Sequence, residues 1–307
     1  MENKEIKIGG GWQEAPRDPR NFSRSKVLGS LFSKPKLPGE DFLVVVPKTI
    51  NNQGDNDKCV GHTVSKACGF MEGIEMSANY QFAKGKQVAN ENPETWGLKM
   101  IDGVMSAVKF GSLPLDREPE AVDGPHYRDG RNWPAELDEV AAIYKKDERS
   151  ILEVDGPFDT FDNILLALWE GRAALQTVIL GSYWKPFWTA APRGIISGEM
   201  GKEQKGFGHA FLAIGRRSFP RYDADNKIIG MEPYLVCLLH SGDLIGDHGI
   251  FYFSREVVNR EFVFDKFVPV DIPVVDAKKI ANAQSFLSLA WFRLVAGIKK
   301  YIKKLLK

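Results

Sequence analysis

Between residues 59 and 169, apolar residues recur at helical spacing among polar ones. The clearest run begins at Cys59 and repeats an apolar residue every three or four positions: Val60, Val64, Ala67, Cys68, Met71 and Ile74. Such a stripe predicts a helix that buries one face. Weaker helical patterns follow over residues 77–88, 97–110, 137–144 and 159–169. Asp159 or Thr160 is suited to cap the last of these helices, while Gly111 and Gly171 are suited to end two of them.

Beyond residue 171 the pattern changes to short apolar runs rich in Val, Ile, Leu and aromatic residues, separated by Gly, Pro and Asp. Runs of this kind predict β-strands joined by turns. They cover residues 173–180, 209–214, 234–239 and 249–253. An earlier apolar run at residues 42–46 predicts a short strand. Because helices precede most of the strands, the sequence predicts an α+β protein built from two packed halves.

Both ends of the chain differ from its middle. Residues 1–50 are rich in Gly, Pro and Arg and predict a mostly irregular arm. After Asp276 no acidic residue follows, and apolar residues recur by threes and fours, which predicts a basic amphipathic helix over residues 276–307. This helix fits three roles: packing on the same chain, lying on a membrane surface, or self-association. Residues 286–307 are therefore a candidate contact with a membrane surface or a second copy.

Charge and cysteine usage narrow the class of protein. The 41 Lys and Arg residues balance 40 Asp and Glu, so no basic field favours nucleic acid as a partner. Residues 1–7 are charged and lack an apolar core, which argues against a secretory signal. The 3 cysteines cannot all pair and lack the spacing of a disulfide framework, so a cytoplasmic or particle-enclosed location is expected. His, Cys, Asp and Glu do not cluster as a zinc site would, and no cofactor is expected.

The segment before the first strong helix carries the pattern most specific to chemistry. Gln53 lies six positions before Cys59, and Cys59 opens the helix. A helix N-terminus stabilises a thiolate, and a glutamine amide at this spacing can donate a hydrogen bond to an oxyanion. The structural alternatives are a buried core cysteine and a solvated loop glutamine.

A nucleophilic cysteine also needs a base and a group that orients the base. His209 opens a predicted buried strand between small residues, and His240 ends the next predicted strand. Either can instead be an ordinary strand-end histidine, and Asp243 is the alternative orienting acid. The other candidates have structural interpretations: Cys68 and Cys237 as packing residues, His62 as a helix-surface residue or pocket wall, and His126 and His248 as loop residues.

These blocks, in this order, resemble the papain-like cysteine peptidases, especially the divergent bacterial and phage members. Gln53 and Cys59 match that family's oxyanion glutamine and nucleophile, and the Gly-His-Ala block around His209 matches its catalytic histidine. Residues 240–249 resemble its Asn-Ser-Trp-Gly block. In this chain His240 replaces the asparagine, and the tryptophan of the block is missing.

The N-terminal region extends the resemblance. Gly11-Trp12, followed by residues 16–20, resembles the arm that these members carry before the peptidase domain. The likeness covers about residues 10–268, and an insertion at residues 218–230 predicts an exposed hairpin.

The resemblance implies an α+β, papain-like fold of two lobes. The implied boundaries are an arm at residues 1–50, a peptidase domain at residues 51–275, and the C-terminal helix at residues 276–307. Within the domain, the helical lobe covers about residues 59–170 and a barrel-like β lobe about residues 171–275. The cleft lies between the two lobes.

The implied activity is thiol peptidase or amidase chemistry on a protein or peptide substrate. Cys59 would attack a carbonyl, and Gln53 would hold the oxyanion. His209 would act as acid and base, and His240 would orient it, as a histidine does in related cell-wall peptidases. Two alternatives fit the same residues. One is a catalytically weak or inactive papain-fold structural protein of a phage particle, bound to virion proteins, and the other is a cell-wall peptide hydrolase.

Overall fold

The computed structural model of the 307-residue chain describes residues 10–14, 22–24, 37–119, 125–146, 151–240, 242–262 and 264–269. These residues contain seven helices: α1 (Cys59–Glu72), α2 (Ala78–Ala89), α3 (Met100–Lys109), α4 (Ala135–Ala142), α5 (Thr160–Gly171), α6 (Pro186–Thr189) and α7 (Arg255–Glu261). They also contain eleven strands: β1 (Trp12–Gln13), β2 (Phe22–Ser23), β3 (Phe42–Leu43), β4 (Leu98–Lys99), β5 (Ile151–Glu153), β6 (Val178–Trp184), β7 (Ile195–Ile196), β8 (Phe207–Tyr222), β9 (Ile228–Leu238), β10 (Ile250–Ser254) and β11 (Lys266–Pro269).

Helix α1 is the central element of the helical half. It is buried along most of its length and contacts α2, α3 and strand β8. The helix ends at Gly73, whose left-handed backbone (φ 71°) lets its N–H donate to the Gly69 carbonyl at 2.8 Å. Ser77 then caps α2, because its hydroxyl accepts from the Tyr80 N–H at 2.9 Å. Both neighbouring helices and the sheet therefore hold α1 in place.

Nine strands form one sheet in the order β2-β5-β11-β6-β8-β9-β10-β7, with β3 paired to β8. Its centre is antiparallel, and in its register Ser182 lies opposite His209 while Leu212 lies opposite Leu238. Large aromatic side chains fill the core beneath this centre: Trp184, Trp188, Phe211, Phe251, Phe253 and Phe262. This packing fixes the strand that carries His209 and brings the end of β9, just before His240, beside it.

The architecture confirms the α+β prediction and most of its elements. The five helices predicted between residues 59 and 171 are present, and Asp159 caps α5 by accepting from the N–H of Asp162 at 2.9 Å. The predicted hairpin at residues 218–230 is the far end of β8 and β9, which exposes Tyr222 and Ile228 to solvent.

Three boundaries differ from the sequence prediction. Residues 172–174 form a short 3₁₀ turn rather than a strand, because Leu175 adopts a left-handed backbone (φ 55°) that extended structure excludes, and β6 begins only at Val178. The predicted helix at residues 97–110 starts with strand β4, which pairs with β1. The predicted strand at residues 42–46 is reduced to β3.

The arm of residues 1–50 is not wholly irregular, because three short strands lie in it. Residues 16–20, Ser241 and the predicted C-terminal helix at residues 276–307 lie outside the described residues. In the part of the chain that is described, no helix combines the length and the apolarity that crossing a bilayer requires.

Candidate active site

Cys59 is the first residue of α1 and has no exposed surface. Burial raises the pKa of its thiol to about 12, although backbone N–H groups of Ala210, Trp12 and Val60 act in the opposite direction. The sequence predicted a thiolate stabilised by the helix N-terminus. In this closed arrangement burial outweighs these backbone donors and raises the pKa of the thiol, which is the opposite of the predicted lowering.

His209 lies on β8 and is also fully buried. Its ring packs edge-on against Trp184, with centroids 5.9 Å apart, and stacks on Phe211 at 6.2 Å. The next residue, Ala210, directs its backbone N–H at the Cys59 thiol. The start of α1 and the strand that carries His209 therefore meet, although the two are distant in sequence. Trp184 was not among the sequence candidates. Its indole lies beside the His209 imidazole, although the tryptophan of the Asn-Ser-Trp-Gly block is absent from this chain.

His240 follows β9 and is fully buried. Burial lowers the pKa of His240 well below its usual value, and the charges of His62, His209 and Lys66 lower it further. His62 stacks on His240, with ring centroids 5.8 Å apart and an interplanar angle of 28°. Three imidazoles thus share one neighbourhood, and His240 is neutral within it. Among the described residues, neither ring nitrogen of His240 has a hydrogen-bond partner.

Gln53 lies in the loop that precedes α1 in the sequence. This loop is hydrogen-bonded to His240, which follows β9. Its backbone N–H donates to the His240 carbonyl at 2.6 Å, and its side-chain amide donates to the Asn56 carbonyl at 2.7 Å. Gln53 is 3% exposed, and its amide nitrogen carries two N–H groups. The loop therefore holds Gln53 close to His240. Its role as an oxyanion donor stays a prediction.

Asp57 fixes the same loop from the other side and was missed by sequence reasoning. Its carboxylate accepts two hydrogen bonds from Arg128, at 2.9 and 2.7 Å, and one from the Gly97 N–H at 2.8 Å. Burial alone would raise the pKa of Asp57, but these donors hold it below its usual value. Asp57 is 1% exposed. Its hydrogen bonds therefore hold the residues just before α1 against the residue just before β4.

The N-terminal segment at residues 10–14 runs through the cleft between the two halves. The Gly11 N–H donates to the Gly208 carbonyl at 3.0 Å, and the Gly11 carbonyl accepts from Leu98 at 2.6 Å. Gly97 has a left-handed backbone (φ 73°), and a β-carbon there would overlap the Gly11 carbonyl. The backbone N–H of Trp12 points at the Cys59 thiol. This segment, which we call the cleft segment, covers the candidate nucleophile.

The indole of Trp12 anchors the cleft segment in a closed pocket. Its Nε1–H donates to the Asp265 carboxylate at 2.8 Å, and its ring contacts Tyr183 and Phe264 at centroid distances of 5.4 and 5.6 Å. Trp12 is 4% exposed, and burial raises the pKa of Asp265 to about 6. A side chain at Gly181 would overlap the indole, so glycine leaves room for it. Resemblance alone drew attention to Trp12, and nothing in the local pattern pointed to Asp265.

The other sequence candidates lie outside this cluster. Asp243 and His248 line a cavity of about 880 Å³ whose walls include neither Cys59 nor His209. Cys68 and Cys237 are core residues, as predicted. Among the described residues, no group of three or more His, Cys, Asp and Glu side chains is arranged to hold a metal ion.

Solved structures with a similar fold are papain-like cysteine proteases. Xylellain, a cysteine protease from Xylella fastidiosa, is 16% identical, covers 89% of this chain and all of its own (100%), and superposes with a TM-score of 0.64. Procathepsin B S9 from Trypanosoma congolense is 15% identical, with coverage of 85% of this chain and 84% of its own and a TM-score of 0.55.

Digestive procathepsin L 3 from the larval midgut of Tenebrio molitor is 12% identical, covers 82% of this chain and 76% of its own, and has a TM-score of 0.56. No protein-family model and no curated protein matches the sequence. At these identities the likeness is one of fold: the chain has the two-lobed α+β fold of papain-like proteases.

Proposed function

We propose that this chain is a thiol-dependent peptidase or amidase of the papain type, held closed by its own cleft segment. The observation that carries the proposal is the meeting of Cys59, at a helix N-terminus, with the backbone of Ala210, next to His209. The papain-like fold and the nearby neutral His240 support it.

The reaction begins when the cleft segment leaves. Water then reaches Cys59, the burial that raises the pKa of its thiol is relieved, and the helix N-terminus favours the thiolate. His209 takes the thiol proton, and the thiolate attacks the substrate carbonyl. The Cys59 N–H and the second N–H of Gln53 stabilise the oxyanion.

The leaving group and the acyl group are then released in turn. His209 gives its proton to the leaving amine, and in the next step it takes a proton from the water that hydrolyses the thioester. His240, which is neutral, accepts a hydrogen bond from His209 and so orients the base. The Trp184 indole excludes water from one side of His209.

Hydrolysis of a peptide library tests the proposal. The Trp12→Ala variant opens the cleft, and in this background we expect hydrolysis that Cys59→Ala and His209→Ala abolish. The exposed histidine His126 provides the matched control, since His126→Ala should leave turnover unchanged. Hydrolysis that survives Cys59→Ala would contradict the proposal.

A structural or binding role is the second candidate, favoured by the filled cleft and the neutral Cys59 thiol. In that case the protein belongs to a phage particle and residues 286–307 contact virion proteins or a second copy. Co-sedimentation with particles, together with no hydrolysis after the Trp12→Ala change, would favour this role. Zymography on peptidoglycan tests the related proposal of a cell-wall peptide hydrolase. A cytoplasmic or virion-associated location fits all three.

A further inference from the structure

His62 lies one helical turn after Cys59 on α1, on the side that faces His240. Its ring stacks on the His240 ring at a centroid distance of 5.8 Å. His62 is half-buried, whereas His209 and His240 have no exposed surface. It is therefore the member of the imidazole cluster that meets solvent.

The surroundings of His240 are unusual for a buried histidine. Its two ring nitrogens have no hydrogen-bond partner among the described residues, and buried polar groups without partners are costly and rare in native proteins. Such a group is explained better by a working role than by packing. One such role is to accept a hydrogen bond once the cleft segment has left.

The groups that face His240 are basic. Helix α1 contributes His62 and Lys66, and β8 contributes His209. Both carboxylate oxygens of Glu75 accept hydrogen bonds from the Lys66 ammonium at 3.0 Å, which moderates its charge. His62 is the neighbour whose ring stacks on that of His240.

We propose that His62 is a positioning residue, resting on the proposed function: its ring confines the His240 ring and its charge opposes a second charge there, so that His240 can accept a hydrogen bond from His209. The stack limits rotation of the His240 ring. A positive charge on His62 opposes a positive charge on the neighbouring His240, in addition to the effect of burial. Because a doubly protonated imidazole only donates, a protonated His240 could no longer accept from His209.

Two substitutions separate the stacking effect from the charge effect. His62→Phe keeps an aromatic ring against His240 and removes the titratable group. His62→Ala removes both. The matched control is His126→Phe, because His126 is exposed and lies on none of α1, β8 and β9. Lys66→Met tests whether the second basic group of α1 can replace His62.

Histidine ring signals of the full chain, followed by NMR against pH, provide a readout that needs no turnover. The chain has 5 histidines, so single substitutions assign every signal. We expect the His240 signal of the unsubstituted protein to stay that of a neutral ring at mildly acidic pH. In His62→Phe we expect the pKa of His240 to rise, since a nearby positive charge has been removed.

The kinetic arm uses alkylation of Cys59 against pH in the Trp12→Ala background. We expect His62→Ala to slow alkylation by about 10-fold through loss of the oriented base, and His62→Phe to restore part of the rate at neutral pH. An unchanged His240 titration in both His62 variants would overturn the inference even if the enzyme is active. An altered titration in a protein without turnover would uphold the inference and contradict the proposed function alone.

Discussion

Replacing Trp12 with alanine removes the anchor of the cleft segment, and we expect it to expose Cys59. The indole is 4% exposed, contacts Tyr183 and Phe264, and donates a hydrogen bond to Asp265. Truncating a buried tryptophan to alanine costs about 3–5 kcal/mol. That free energy is lost from the docked state of the segment, so the equilibrium shifts towards the undocked state.

The size of the effect follows from two estimates. A loss of about 3 kcal/mol shifts the docking equilibrium by about 10²-fold. A thiol with a pKa of about 12 is ionised to only ~10⁻⁴ at pH 8, whereas an ordinary cysteine with a pKa of ~8.5 is ionised to ~0.2. Release into the surroundings of an ordinary cysteine would therefore raise the thiolate fraction of Cys59 by about 10³-fold at pH 8.

The assay is the rate at which a small alkylating reagent modifies each cysteine at pH 8, measured by peptide mass spectrometry. Cys68 and Cys237 are buried core residues and serve as internal controls in the same sample. We expect selective acceleration at Cys59 of about 10² to 10³-fold in the Trp12→Ala variant. Acceleration below twofold, or equal acceleration at all three cysteines, would refute the reasoning.

Three further predictions concern the surroundings of the cleft. Arg128→Ala leaves the buried Asp57 charge unpaired, and urea unfolding should show a loss of about 3–5 kcal/mol that the added Asp57→Asn change partly restores. The pKa of Asp265 is raised to about 6, so its stabilising contribution is complete below about pH 4 and is lost as the pH rises through 6. Between pH 5 and 7 the protein should therefore lose about 1 kcal/mol more stability than Asp265→Asn, and equal losses would contradict this assignment. Gln53→Ala should lower kcat by about 10²-fold or more while leaving the alkylation rate of Cys59 in the Trp12→Ala background unchanged.

Local patterns were enough to predict the elements that carry the candidate site. The helix predicted from the apolar stripe after Cys59 coincides with α1. The strand predicted from the apolar run after His209 lies within β8. These signals are local because each depends on periodicity within one element. The papain-like order of the blocks added the expectation that the two elements meet.

The contacts that close the cleft could not be predicted in this way. Trp12 and Asp265 are separated by 253 residues, and the Asp57–Arg128 pair by 71. No periodicity links such positions, and neither residue of a pair indicates in the sequence which distant residue it contacts. The neutral state of Cys59 has the same origin, because it depends on burial beneath a segment that lies far from α1 in the sequence.

The ionisation of Cys59 in the Trp12→Ala variant tests the central claim most directly. It can be followed by the ultraviolet absorbance of the thiolate, with Cys59→Ser in the same background as the blank. The account predicts a thiolate that forms well below pH 8 as an ion pair with protonated His209, and that in His209→Ala forms only near the ordinary value of ~8.5 or above. A Cys59 ionisation that is the same with and without His209 would contradict the claim that these two side chains act together.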